Sequence, residues 1–219
     1  MSKLRSVATF AYPCSLLLGS LWLAARRKDG CMTDQKPITT QIEGRIGILR
    51  FNRPQVMNAF DSALIEATNQ AMHDFMADDA VLAIIICGHG RCFSAGFDMK
   101  ESAARGTRGQ DEWRKVLTKD FDFIMQFWHA PKPTIAAAHG YCIGGAMELL
   151  MACDLSVASE TTLFGEPEVR FGSGIVAMLA PYVIGPKQAK ELLLTGNDRV
   201  SAQRCYEMGI LNRVTAEGG

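Results

Sequence analysis

Apolar and polar residues alternate in the first regular part of the chain. The segments Ile38 to Glu43 and Arg45 to Phe51 place apolar side chains at every second position, on either side of Glu43-Gly44. A period of two is typical of β-strands, and the glycine between the segments predicts a β-hairpin. Further on, the apolar run from Val81 to Cys87 predicts a buried strand.

Two amphipathic helices are predicted from apolar residues spaced three or four positions apart. Asp61 is a typical N-cap for the first helix, whose apolar face repeats at Leu64, Ala67, Ala71 and Phe75. The segment from Glu101 to Asp111 is polar and contains two glycines, so we expect it to be mobile. The second helix follows, and we interpret its apolar residues as core or pocket wall: Trp113, Val116, Leu117, Phe121, Ile124 and Trp128.

The second half of the chain alternates short strands and short helices. Strands are predicted at Thr134 to Ala138, from Asp154 to Ala158, at Leu163-Phe164 and at Leu211 to Val214. Helices are predicted at Ala146 to Met151, Ile175 to Ile184, Lys187 to Leu194 and Ala202 to Met208. Repeated strand–strand–helix units indicate an α/β fold.

Composition narrows the functional classes. The 219 residues are 48% hydrophobic and carry 23 basic and 23 acidic side chains, so nothing suggests a nucleic-acid partner. The seven cysteines form no C-x-x-C pair, so we predict no metal site. Cys87, Cys142 and Cys153 lie in apolar runs and are expected to be buried free thiols, which favours a reducing compartment.

Residues 1–31 differ in composition from the rest. Lys3 and Arg5 precede nineteen uncharged residues, Val7 to Ala25, and three basic residues follow. This run has the length of a membrane span and also fits a signal or transit peptide. The sequence from Met32 is typical of a natural N-terminus, so an upstream start codon is a further interpretation. We therefore divide the chain into an extension, residues 1–31, and a domain, residues 32–219.

The segment from His139 to Glu168 carries the strongest indication of chemistry. Gly144-Gly145 opens a helix after a strand, so unpaired backbone N–H groups are expected there. Glu148 lies in the first turn of that helix, and Glu168 follows a Gly-Glu-Pro turn twenty residues later. Two carboxylates near a backbone oxyanion site suit general acid–base chemistry on a polarised carbonyl.

Three motifs together resemble the crotonase, or enoyl-CoA hydratase/isomerase, superfamily. They are the segment above, the loop Arg91 to Lys100, and Asn52-Arg53-Pro54 followed by Asn58-Ala59-Phe60. The resemblance covers about Ile38 to Val214 and implies an α/β fold with a spiral of ββα repeats. The superfamily's C-terminal helical segment has no counterpart here, so we expect the chain to be truncated relative to it.

The resemblance also implies residue roles. The N–H groups of Phe97 and Gly145 would form the oxyanion hole, Glu148 would orient or deprotonate water, and Glu168 would move the α-carbon proton. Substrate contacts are implied along the loop and at the glycine turn: Ser94, Ala95, Gly96, Phe97, Asp98, Met99, Lys100 and Gly144.

The implied activity is that of an enoyl-CoA hydratase, a lyase of fatty acid metabolism that hydrates the 2,3 double bond of a 2-enoyl-CoA thioester. The stretch Gly172 to Met178 departs from the hydratase pattern, and Arg170 is an unexpected charge beside Glu168. An enoyl-CoA isomerase, another crotonase-type lyase and a catalytically silent acyl-CoA-binding subunit remain alternatives. Dienoyl isomerases carry an aspartate where this chain has Val176.

The resemblance implies no cofactor besides the CoA of the substrate. It implies a homo-oligomer, a trimer or a dimer of trimers, if the C-terminal segment is present. A cytoplasmic location is expected, with mitochondrial or membrane-associated alternatives if residues 1–31 are genuine.

Overall fold

A computed structural model describes residues 36–172 and 174–217. The predictions for residues 1–31, including the apolar run, lie outside the described residues. Within the described ranges the strands are β1 Ile38–Glu43, β2 Ile46–Phe51, β3 Ala83–Gly88, β4 Thr134–Ala138, β5 Tyr141–Ile143, β6 Leu155–Ser159, β7 Leu163–Gly165, β8 Val200–Ser201 and β9 Arg213–Thr215. The helices are α1 Ser62–Ala77, α2 Met99–Ala104, α3 Gly109–Trp128, α4 Gly145–Ala152, α5 Ala180–Ile184, α6 Pro186–Thr195 and α7 Ala202–Met208.

Two sheets organise these elements. The larger has the strand order β1-β2-β3-β4-β6-β9, and its neighbours are parallel except for the β1–β2 hairpin. The smaller has the order β5-β7-β8. Gly140 lies between β4 and β5, so the chain passes from the larger sheet to the smaller one just before α4 begins. Strands β3 and β4 are central and largely apolar, as expected for parallel strands with both faces covered.

Most of the predicted elements are confirmed. The hairpin pairs Glu43 with Ile46 at its end, and β4 has the predicted bounds. Asp61 caps α1 by accepting a hydrogen bond from the N–H of Leu64 at 2.8 Å. The three cysteines predicted as free thiols are free; Cys142 and Cys153 are buried, whereas Cys87 is only partly buried.

The middle of the chain departs in part from the predictions. The segment from Glu101 to Asp111 is mostly helical, because Asp98 caps α2 and the Glu101 carboxylate accepts hydrogen bonds from Ser62; its mobility stays a prediction. In α3, Trp113 and Leu117 are 47% and 41% exposed, so they do not belong to the core. Trp128 is also exposed, whereas Ile124 is buried as predicted. The other buried residues of α3 are Asp120, Phe123 and Phe127.

The helix predicted from Ile175 to Ile184 is divided. A 3-10 turn at Ala177–Leu179 precedes the short α5, and Pro181 lies in the first turn of α5. Proline lacks a backbone donor, so it is tolerated at a helix start but interrupts a longer helix. Within the described parts of the chain, no helix is both long and apolar enough to cross a membrane.

Candidate active site

Asn58 holds the loop that precedes the predicted oxyanion residue. Its Nδ2 donates to the carbonyl oxygens of His89, Cys92 and Phe93 at 2.9, 2.9 and 3.1 Å, and its Oδ1 accepts from the N–H of Arg53 at 2.9 Å. The side chain is fully buried, and the backbone has φ +54°. Asparagine tolerates this left-handed conformation better than most residues, and its side-chain amide can also make the four hydrogen bonds.

Arg53 fixes the other end of the loop. Its guanidinium lies 2.8 Å from the Asp61 carboxylate, donates to the Ala59 carbonyl at 2.6 Å, and lies 3.4 Å from the Asp98 carboxylate. Asp98 also accepts from the N–H groups of Lys100 and Glu101 as the cap of α2. The Asn-Arg-Pro and Asn-Ala-Phe motifs therefore brace the loop.

We expect Asn58→Ala to lower the free energy of unfolding by about 3 kcal/mol or more, because three carbonyls and one amide lose a buried partner. Urea unfolding measures the change. Asn69→Ala is the matched control, because Asn69 is exposed and accepts a single hydrogen bond, from Gln126. A loss at Asn58 no larger than at Asn69 would contradict the bracing role.

Two loops meet at the centre of the site. Ser94 pairs with β5: its N–H donates to the Tyr141 carbonyl at 3.1 Å, and its carbonyl accepts from Ile143 at 3.3 Å. Gly96 has φ +83°, and a β-carbon built on it would lie 2.7 Å from the Ile143 oxygen and 3.0 Å from the Gly145 nitrogen. The close approach explains why glycine is needed here.

The amides of Phe97 and Gly145 are the predicted oxyanion donors. The N–H of Phe60 donates to the Gly96 carbonyl, and the Phe60 carbonyl accepts from the N–H of Asp98. The N–H of Phe97, between these two residues, takes no part in this backbone pairing. Gly145 is the first residue of α4, where amides have no partner within the helix. Within the described residues neither amide has a hydrogen-bond acceptor. The Phe97 ring packs on Gly145, since a β-carbon built there would lie 2.5 Å from two ring carbons.

The two predicted catalytic glutamates approach this glycine turn from different elements. Glu148 is buried in the first turn of α4, and its Oε1 accepts from the N–H of Val176 at 2.9 Å. Glu168 belongs to the 3-10 turn Pro167–Arg170, and its Oε1 lies where a β-carbon of Gly144 would be. Glu168 Oε2 is buried and has no partner among the described residues.

Burial dominates the electrostatics of Glu148. It raises the pKa of Glu148 to about 7, and the nearby charges of Glu168 and Asp120 add to the rise. The N–H hydrogen bonds from Val176 and Ile175 oppose it. A carboxyl group that gains and loses its proton near neutrality is well matched to general acid–base chemistry.

The structure also shows the surroundings of Arg170 and of the predicted substrate-binding loop. Arg170 is half exposed and lies 3.2 Å from the Asp198 carboxylate, so Asp198 is its ion-pair partner. Ser94 is buried and donates from its hydroxyl to the Asn58 carbonyl, while Met99 and Lys100 are exposed. Substrate binding along the loop stays a prediction.

Sequence reasoning missed two buried acidic residues. Asp120 lies on the core face of α3, and burial raises its pKa. Glu166 is fully buried immediately before Pro167. The only sequence signal for Glu166 was its place between β7 and Glu168, in a turn where an acidic residue is ordinarily exposed.

We expect Gly144→Ala to reduce turnover about 100-fold, because the new methyl group displaces the Glu168 carboxylate and small misplacements of catalytic groups carry costs of this size. Steady-state kinetics measure the loss. Gly44→Ala is the control, since both glycines have φ +60° but a β-carbon on Gly44 meets nothing within 4 Å. Equal loss of activity in both variants would show that backbone strain alone is responsible.

The candidate site thus combines two unpaired amides with two carboxyl groups on an α/β scaffold. The family model for enoyl-CoA hydratase/isomerase matches residues 41–218. The chain belongs to this family, within the crotonase superfamily, and has its fold.

Individual relatives agree with this membership. The mitochondrial enoyl-CoA hydratase of Pongo abelii is 36% identical over 173 residues, which cover 77% of this chain and 57% of that protein. The 4-chlorobenzoyl coenzyme A dehalogenase-2 of Arthrobacter sp. is 32% identical over 78% of this chain and 63% of its own length. This chain therefore spans less than two thirds of either relative.

A crystal structure of an enoyl-CoA hydratase/isomerase from Xanthobacter autotrophicus Py2 is similar to this structure. It has 47% sequence identity and a TM-score of 0.80, with 82% of this chain and 67% of that chain covered. The two structures therefore share the crotonase fold.

Proposed function

We propose that this chain carries the catalytic centre of an enoyl-CoA hydratase that adds water across the 2,3 double bond of a 2-enoyl-CoA thioester. The observation that carries the proposal is the convergence of Glu148 and Glu168 on the glycine turn that presents the Gly145 amide. Both carboxyl groups and both unpaired amides come from elements that pack directly on one another.

In the proposed reaction the thioester oxygen accepts hydrogen bonds from the N–H groups of Phe97 and Gly145. Water adds to the β-carbon, the double-bond electrons move toward the carbonyl, and negative charge gathers on its oxygen. Donors placed for that charge stabilise the enolate-like state more than the substrate, and losing one such donor typically costs about 10²–10³ in rate.

The two glutamates divide the proton transfers. Glu148 accepts a proton from the attacking water, and Glu168 delivers a proton to the α-carbon. One proton enters and one leaves the pair of carboxyl groups, so the net reaction is addition of one water molecule. The reverse direction uses the same groups with their roles exchanged.

Substrate recognition is part of the proposal. The segment Ser94 to Lys100 and Gly144 would contact the acyl-CoA. Its CoA portion is part of the substrate, and we propose no separate cofactor. We also propose a homo-oligomer, a trimer or a dimer of trimers, for the whole protein and a cytoplasmic location. These proposals rest on the family and not on contacts in this structure.

Incubation with crotonyl-CoA tests the activity, because hydration removes the absorbance of the conjugated thioester. We expect this absorbance to disappear with the parent protein and to persist with a double variant, Glu148→Gln with Glu168→Gln. Binding of crotonyl-CoA without turnover would favour a silent acyl-CoA-binding subunit and contradict the proposal.

Double-bond isomerisation is the second candidate function. It is favoured by the partial protonation that burial imposes on Glu148 near neutral pH, because a protonated Glu148 cannot accept a proton from water. Glu168 alone could then move a proton between the α- and γ-carbons. Conversion of a 3-enoyl thioester faster than hydration of the 2-enoyl thioester would identify this activity.

The hydration rate should rise as the pH increases toward about pH 7. Glu148 must be ionised to act as a base, and its raised pKa means that this form is lost as pH falls through about 7. A pH profile of kcat/KM measures the effect, and we expect about a tenfold fall per pH unit on the acid side. A rate that is constant between about pH 5.5 and pH 8 would contradict Glu148 as the base.

A further inference from the structure

Glu166 is a buried acidic residue to which the proposed mechanism gives no task. It has no exposed surface, and both of its carboxyl oxygens lack a hydrogen-bond partner among the described residues. Leaving a carboxyl group in this state is costly unless it is neutral and finds an acceptor for its proton. The group therefore needs an explanation in terms of its neighbours.

The backbone around Glu166 is fixed on both sides. The Gly165 carbonyl accepts from the N–H of Gly144 at 2.8 Å, and a β-carbon on Gly165 would collide with the backbone of Asn197 and Asp198. Pro167 follows and disfavours the helical conformation at Glu166, whose backbone has φ −123° and ψ 74°. The side chain of Glu166 is fully buried.

Its inward side faces other titratable groups. The carboxyl groups of Glu166 and Glu168 lie close enough to share a hydrogen bond, and the Glu148 carboxyl and the Cys142 thiol are the other neighbours. No lysine or arginine forms an ion pair with any of the three glutamates in the described part of the chain. Burial first, and then the charges of Glu148 and Glu168, raise the pKa of Glu166 well above its ordinary value.

The two carboxyl oxygens of Glu168 have different surroundings. Oε1 lies against Gly144 at the glycine turn, whereas Oε2 is buried and has no donor. Two carboxylates cannot bond each other, because both only accept; one proton between them supplies the missing donor. A hydrogen bond between a carboxylic acid and a carboxylate is among the strong ones, because the acceptor is charged.

We propose that Glu166 is a positioning residue: its carboxylic O–H donates a hydrogen bond to Oε2 of Glu168 and holds the Glu168 carboxylate over Gly144. The inference rests on the function proposed above for Glu168. The proton stays on Glu166 throughout the reaction, so proton balance is unchanged. The hydrogen bond strengthens as Glu168 releases its proton to the α-carbon, and it therefore favours that step.

The protonation of Glu166 can be tested without any activity measurement. In the unfolded chain Glu166 ionises with an ordinary carboxyl pKa, whereas in the folded protein it keeps its proton. Stability from this residue is therefore fully present at acid pH and declines as pH rises above the unfolded pKa. In the full chain, Glu166→Gln should reduce the dependence of unfolding free energy on pH between about pH 5 and pH 8 by about one proton.

Glu66→Gln is the matched control for this measurement. Glu66 is an exposed glutamate on α1, and its replacement should leave the pH dependence of stability unchanged. If Glu166→Gln and Glu66→Gln gave the same pH dependence as the parent, Glu166 would be ionised in the folded protein and the proposal would be overturned.

The positioning role needs a second pair of variants. Glu166→Gln keeps an N–H donor for Glu168, whereas Glu166→Leu has a similar size and no donor. We expect kcat for crotonyl-CoA hydration to fall about tenfold or more in Glu166→Leu, with KM changed little, and to be largely restored in Glu166→Gln. Equal kcat in the two variants, with both folded, would overturn the positioning role.

These outcomes separate the inference from the proposed function. A parent protein that binds crotonyl-CoA but does not hydrate it contradicts the hydratase proposal and with it the positioning role. The stability measurement still decides whether Glu166 is protonated, because it requires no substrate.

Discussion

Replacing Glu148 with glutamine should reduce hydration of crotonyl-CoA by about 100-fold or more, the usual effect of removing a positioned acid or base. Glutamine has the same shape, and its amide oxygen can still accept from the N–H of Val176. The variant should therefore fold normally and lose only the capacity to take a proton from water. Steady-state kinetics with crotonyl-CoA, beside a thermal unfolding curve, measure both expectations.

Glu66→Gln serves again as the control, because it makes the same chemical change on the exposed side of α1. It should hydrate at the parent rate. A folded Glu148→Gln variant with near-parent turnover would eliminate Glu148 as the base that activates water.

Glu168→Gln should abolish both hydration and proton exchange at the α-carbon, whereas Glu148→Gln should retain part of the exchange. Exchange needs only a group that moves the α-proton and the two oxyanion donors, while hydration needs both acids. We assign the α-carbon to Glu168 in this proposal because its turn approaches Gly144 from outside α4. The measurement is deuterium uptake at the α-carbon of a saturated thioester in heavy water, run beside the hydration assay.

Deuterium uptake at the parent rate in Glu168→Gln would contradict this division of roles. His139 would then be the next residue to test. Its ring already lies 2.9 Å from the Gly90 carbonyl, which makes it a weaker prospect for direct proton transfer.

Much of the secondary structure could be predicted from the sequence, because it depends on local periodicity. The hairpin β1–β2, the strand β4 and the helix α4 follow from spacing and glycine positions, and their bounds agree within one or two residues. The caps Asp61 and Asp98 are local in the same sense, since a cap bonds amides two or three residues away.

Long-range packing explains the failures. In α3, Trp113 and Leu117 have helical spacing typical of a buried face, yet their side chains are exposed. Helical spacing identifies residues that share a face but not what lies opposite that face. The same limit applies to the Asn-Ala-Phe motif, whose Asn58 braces the Gly96 loop through contacts with residues more than thirty positions away.

The sequence by itself determined the α/β class, the glycine turns and the identity of Glu148 and Glu168 as acids worth testing. Only the tertiary structure decided which groups surround them. Glu166 is one turn residue among many in the sequence, and the structure buries it completely, immediately after Gly165 packs on the Asn197–Asp198 backbone. Burial and the spacing of charges control carboxyl chemistry, and both arise from contacts between distant segments.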